Sequence, residues 1–164
     1  MVIKMQHRSL ALPYVALALL GWMALSGAIH AVFAQSSHDE AAIRAITLAE
    51  WDKPDAKLSV APIVIEGDYA VTGWVQGNRG GRALLHKSSG KWAVMLCSGD
   101  PLKHASVLVE AGIPADAAER LARNLAAEES RLPPDQVALF STFEGLMKVN
   151  ENESHAGHHN GGHH

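Results

Sequence analysis

Between Leu10 and Ile29 the chain carries no charged residue, and Lys4 and Arg8 stand just before that run. A stretch of this kind partitions into hydrocarbon while its positive flank stays on the cytoplasmic side. It closes on Ala31-Val32-Phe33-Ala34-Gln35, so a cut after Ala34 places Val32 at −3 and Ala34 at −1, where shallow peptidase pockets demand small or slender residues. The run is also long enough to span a bilayer as an uncleaved inner-membrane anchor. Pro13, Gly21 and Gly27, with the cleavage pattern, favour removal. Residues 1–34 are therefore expected to be a signal peptide, and the working compartment is expected to be the periplasm.

That expectation sets what is left to fold. Removing residues 1–34 takes two of the fourteen basic residues and none of the seventeen acidic ones, so the remaining 130 residues carry a formal charge of −5 with histidine neutral. A mildly acidic surface argues against nucleic acid, which needs a basic footprint. The length suits one domain with a modest core. Cys97 is the one cysteine, so no intramolecular disulfide staples the fold. In an oxidising compartment a lone thiol is expected to be buried.

Hydrophobic periodicity predicts the elements. Ser36-Ser37-His38-Asp39-Glu40 offers caps and early acids for a helix whose stripe is Ile43, Ile46 and Leu48, with Trp51 closing it before Pro54. Four strands follow, at Leu58–Ile65, Tyr69–Val75, Arg82–Lys87 and Lys91–Cys97, with reversals at Glu66-Gly67-Asp68, Gly77–Gly81 and Ser88-Ser89-Gly90. Pro62 removes a backbone donor and assigns the first strand to an edge. Alternation sets Tyr69, Val71 and Val75 on one face of the second strand and Trp74 on the other. Connections this short make an antiparallel meander, one face of which must pack on helices.

Asp100-Pro101 predicts a helix start, with a carboxylate cap before proline, running to Gly112. A second helix starts at Ile113-Pro114-Ala115-Asp116, buries Leu121 and Leu125, and breaks at Pro133-Pro134. A last helical segment, Asp135 to Glu144, carries Val137, Phe140 and Phe143. The fold class is α+β: an N-terminal helix, a four-stranded antiparallel meander and C-terminal helices, in a single domain over 35–149. Residues 150–164 are polar and lack apolar periodicity, which predicts a disordered tail.

That tail is where chemistry concentrates. His155, His158, His159, His163 and His164 lie within ten residues, separated by Ala, Gly and Asn. Neutral imidazole ligates Cu(II), Ni(II) and Zn(II), and glycines let several rings converge on one ion. Copper(II) heads the divalent series for nitrogen ligands; nickel and zinc stay open. The spacing differs from the uninterrupted run of a purification tag. Sulfur is scarce after residue 34, where Met95, Met147 and Cys97 supply all of it, so a dedicated Cu(I) methionine site is not expected. His38 would sit third, and form a terminal copper site, only if cleavage followed Gln35. His86 and His104 are expected at the surface.

Leu96-Cys97-Ser98-Gly99-Asp100 puts a thiol at a strand end before a helix, a place where an activated nucleophile can sit. No local signature brings His86 or His104 to it as a base, and a small core residue followed by a capping turn explains it as well. Gly77–Gly81 lacks the spacing of a phosphate loop.

Trp74-Val75-Gln76-Gly77, Arg79-Gly80-Gly81-Arg82-Ala83-Leu84-Leu85, Trp92 with Leu96-Cys97-Ser98-Gly99-Asp100, and Phe140-Ser141-Thr142-Phe143-Glu144-Gly145 before a His-rich end resemble the small copper uptake system-associated proteins of proteobacteria. The resemblance covers nearly all of the chain after residue 34. It implies a periplasmic accessory role in copper acquisition, beside a periplasmic copper chaperone or an outer-membrane copper receptor, without nucleic acid and without a membrane after signal cleavage. It carries no catalytic motif, and only the tail histidines transfer as ligands. The alternative is a small periplasmic enzyme or ligand-binding α+β domain that uses a cavity or Cys97, with the tail incidental.

Overall fold

Turn chemistry decides how the strands are arranged. The structure, a computed structural model, describes residues 35–149. The chain divides into two units, Met1–His38 and Asp39–His164, and the account below concerns the second. Its strands are joined by two-residue reversals at Gly67-Asp68, Gly77-Asn78 and Ser89-Gly90. Ser89 (φ 50°) and Gly90 (φ 77°) both have positive φ, the condition for the primed turn whose twist matches an antiparallel pair. The result is a meander of β1 (Leu58–Glu66), β2 (Tyr69–Gln76), β3 (Arg79–Ser88) and β4 (Lys91–Ser98). A fifth strand, β5 (Leu146–Lys148), joins the free side of β4, giving the order β1-β2-β3-β4-β5, antiparallel throughout. The α+β class expected from the sequence is the class observed.

Pro62 lies on the edge strand, as its missing donor requires. The register of β1 slips between Val60 and Ile63, and the Pro62 carbonyl accepts the Thr72 hydroxyl at 2.8 Å instead.

Helices cover both faces of the sheet rather than one. Residues 35–51 are helical, and 39–51 of that run is α1. Its Ile43, with Ile46 and Trp51, packs on the face formed by Ala70, Ala83, Leu85, Trp92, Val94 and Cys97. The opposite face, Val64, Val71, Leu84 and Leu96, packs on α2 (Ala105–Glu110) and α3 (Ala115–Glu129) through Leu108, Ala118, Leu121 and Leu125. A sheet whose strands alternate apolar residues on both sides needs a cover on both, and these two clusters supply it.

Three readings of the sequence change. Asp39 is an interior residue of the helical run, not an early acid at its start. It is 7% exposed and accepts Lys87 Nζ at 2.8 and 3.1 Å and Trp92 Nε1 at 3.0 Å, tying α1 to β3 and β4. Asp100-Pro101 opens a short 3-10 turn, Asp100–Lys103, and α2 starts separately at Ala105. Asp100 makes no cap hydrogen bond; its carboxylate accepts Ser141 Oγ at 2.8 Å and Arg82 Nη1 at 3.3 Å.

The segment 135–144 is not one helix. Helix α4 (Pro134–Leu139) gives way to a 3-10 turn, Phe140–Thr142, and between Phe140 and Phe143 the chain passes from one face of the sheet to the other. The crossing explains Gly80 and Gly81, which belong to β3 and not to a loop. A Cβ on Gly80 would lie 3.0 Å from the Leu139 carbonyl oxygen, and one on Gly81 would lie 2.9 Å from Phe143 Cβ and 2.8 Å from the Trp74 ring. The glycines are there for close approach of the returning chain.

Candidate functional site

The passage of Phe143 across the end of the sheet closes a cavity. Thr47 and Trp51 from α1, Leu58 from β1, Trp74 and Gln76 from β2, Ala83 from β3, Cys97 from β4, Phe143, and Met147 from β5 line a volume of about 110 Å³. No lining side chain carries a formal charge. Gln76 is held by its amide, which donates to the carbonyls of Trp51 (2.9 Å) and Ala56 (2.7 Å), and so fixes the end of α1 against β2. Thr47 donates its hydroxyl to the Ile43 carbonyl at 2.8 Å, so this polar group is satisfied within α1. Trp74 and Phe143 meet edge to face, with ring centroids 5.7 Å apart.

Trp74 Nε1 is a buried donor without a hydrogen-bond partner among the described residues. Leaving such a group unsatisfied costs roughly 1–3 kcal/mol.

Cys97 is 4% exposed, and burial pushes its thiol up to about 11. At neutral pH it is protonated, whereas the nucleophile of a cysteine enzyme is the thiolate. Neither histidine weighed as its base stands beside it. Cys97 pairs with Ala83 on the α1 face, while His86 lies on the opposite face, stacked on its cross-strand partner Tyr69 at 4.9 Å. His104 is exposed in the segment before α2, and its carbonyl accepts the Val107 and Leu108 amides. His38 is exposed. Among the described residues no three His, Cys, Asp or Glu side chains form a group able to hold a metal ion. The five ligands assigned from sequence, His155, His158, His159, His163 and His164, lie outside the described residues, as does the segment 1–34.

On the opposite face of the same end of the sheet a polar arrangement has a structural task. Arg82 is fully buried and pairs bidentately with Glu129 at the end of α3, Nε to Oε1 at 2.7 Å and Nη2 to Oε2 at 2.8 Å, with the Phe140 ring 5.3 Å from its guanidinium carbon. Asp100 completes the set, and the Ser141 hydroxyl together with the Lys103 and Arg82 charges holds its carboxyl below the ordinary value. Each ion is answered by another within the group, and this end of the sheet locks α3 and the 140–143 turn to β3.

What the sequence reasoning missed is that Cys97 and Met147 share one cavity. Cys97 and Met147 are fifty positions apart in the chain and become direct cross-strand partners only once β5 pairs with β4. The one available signal was a methionine in a short apolar run after Gly145, a run too brief to predict as a strand.

Comparison with protein-family models, with curated proteins and with solved structures gave no match to this chain. Among the described residues no helix is long and apolar enough to cross a membrane.

Proposed function

We propose that this protein is an exported accessory of copper handling, in which the histidine-rich end gathers Cu(II) and the α+β body presents it to a partner. The observation that carries the reading is the concentration of His155, His158, His159, His163 and His164 in the last ten residues. Five neutral imidazoles on a glycine-containing segment offer nitrogen ligands in a geometry that an ion can choose, and Cu(II) is the divalent ion such ligands hold most tightly. The signal-like segment 1–34 supports work outside the cytoplasm. The copper-uptake resemblance of the motifs around Trp74, Gly81, Cys97 and Phe140 supports copper over nickel or zinc, and supports a periplasmic copper chaperone or outer-membrane copper receptor as the partner.

The buried, protonated Cys97, with His86 on the opposite face of the sheet, favours this reading over a thiol enzyme. Titration of Cu(II) into the protein and into a version ending at Asn150 tests it. The expected result is that the shortened chain loses most of the bound copper. Equal uptake by the two would overturn the tail assignment.

A further inference from the structure

We propose that the cavity between α1 and the sheet is a second metal site, specific for Cu(I), with Cys97 Sγ and Met147 Sδ as its ligands. The proposal is independent of the tail, since it rests on different residues, a different oxidation state and a different ligand chemistry.

The register carries it. Cys97 and Met147 are direct partners in the β4–β5 ladder, and both line the same cavity. Residues opposite one another on one face of an antiparallel pair hold their Cβ atoms about 4.5–5.5 Å apart. That separation lets one ion lie between a thiolate and a thioether. Thiolate and thioether are soft donors, the combination that selects Cu(I) over the harder divalent ions.

Charge makes the same selection. Binding exchanges a proton for the metal: the Cys97 S–H bond breaks, the proton leaves to solvent, and the sulfur lone pair bonds Cu(I), with no change in oxidation state. The thiolate and the monovalent ion sum to zero, so the product adds no net charge to a cavity whose walls have none. A divalent ion on the same ligands would leave a positive charge buried without a carboxylate to answer it, which a low-dielectric site disfavours.

Access comes from Met147. It is 42% exposed on a strand of three exposed residues, whereas Cys97 is 4% exposed. Met147 reaches solvent and Cys97 is buried, a gradient suited to an ion that enters over Met147 and is retained at Cys97.

The test is an anaerobic titration of the purified full chain with Cu(I) held by a bathocuproine competitor at pH 8, alongside C97S, C97A and M147L variants and a variant with the five tail histidines replaced by asparagine. The expected result is one Cu(I) withdrawn from the competitor by the wild type and by the tail variant, with quenching of tryptophan emission and release of one proton per ion. Neutral imidazoles release none at that pH, so the proton count separates the two sites. Affinity for that equivalent is expected to fall by about 100-fold or more in the cysteine variants and in M147L, the upper range already seen for groups that only support a ligand. M147L keeps an apolar side chain of similar size at an exposed position, so its loss of affinity is not a loss of fold; circular dichroism checks the cysteine variants. Absence of the equivalent from wild type, its persistence in C97A or M147L, or its disappearance with the tail histidines would each overturn the cavity site. The first two outcomes leave the Cu(II) tail reading standing.

Discussion

At the scale of single residues, the fold depends on charges that are buried only because they are answered. Arg82 has no exposed surface, and Glu129 accepts it through both carboxylate oxygens. Removing one partner of a buried pair leaves the other without compensation, at a cost of about 3–5 kcal/mol. Glu129→Ala is expected to destabilise the domain on that scale, read from the midpoint of denaturant unfolding, while Glu128→Ala, one position away on the surface, is expected to change little. Asp100 adds a pH dependence of known sign. Its carboxyl lies below the ordinary value, first because of the Ser141 hydroxyl, so its contribution to stability is present above the unfolded carboxylate range and is lost as pH falls through the folded value. Ser141→Ala should bring the onset of acid unfolding to higher pH, followed by circular dichroism. Cys97 behaves in the opposite way. With its thiol pushed up to about 11 and 4% exposed, it is expected to resist thiol reagents in the native protein and react at once in denaturant; rapid labelling of the folded chain would contradict its burial.

At the scale of elements, the sequence is most informative where a local pattern and its tertiary use agree. The four long strands and their reversals follow from β-branched alternation and from Gly67, Gly77 and Gly90, since a two-residue turn needs positive φ whatever surrounds it. Pro62 identified the edge strand because a missing donor has only one place to go. Reading failed where a residue's role is set by a distant segment. Gly80 and Gly81 have the composition of a loop and serve as strand positions because Leu139 and Phe143 pass over them. Phe140 and Phe143 have helical spacing but end on opposite faces of the sheet. Leu146–Lys148 is a strand only because the free edge of β4 is there to receive it. Gly81→Val is expected to overpack the Trp74–Phe143 contact and cost about 1–3 kcal/mol, with a change in tryptophan emission, whereas Gly67→Ala, where no atom lies near the added methyl, should leave that emission unchanged and cost only backbone strain.

At the scale of the whole molecule, the account joins a polar, histidine-rich end to a body with an aromatic-lined cavity whose lining side chains carry no charge. The proposed tail ligands are read from the sequence alone, because that proposal needs only proximity along the chain. The meeting of Cys97 and Met147 in the cavity was not legible in the sequence, because it comes about through strand register. The two proposed sites would divide copper chemistry by ligand type, nitrogen for Cu(II) at the tail and sulfur for Cu(I) in the body. Copper content of the protein isolated from the periplasm of copper-grown cells, compared with a chain ending at Asn150, tests the proposed role most directly. The account predicts that the intact protein is recovered from that compartment carrying copper and that the shortened chain carries much less. Recovery of the intact protein without copper, or with the same copper as the shortened chain, would contradict it.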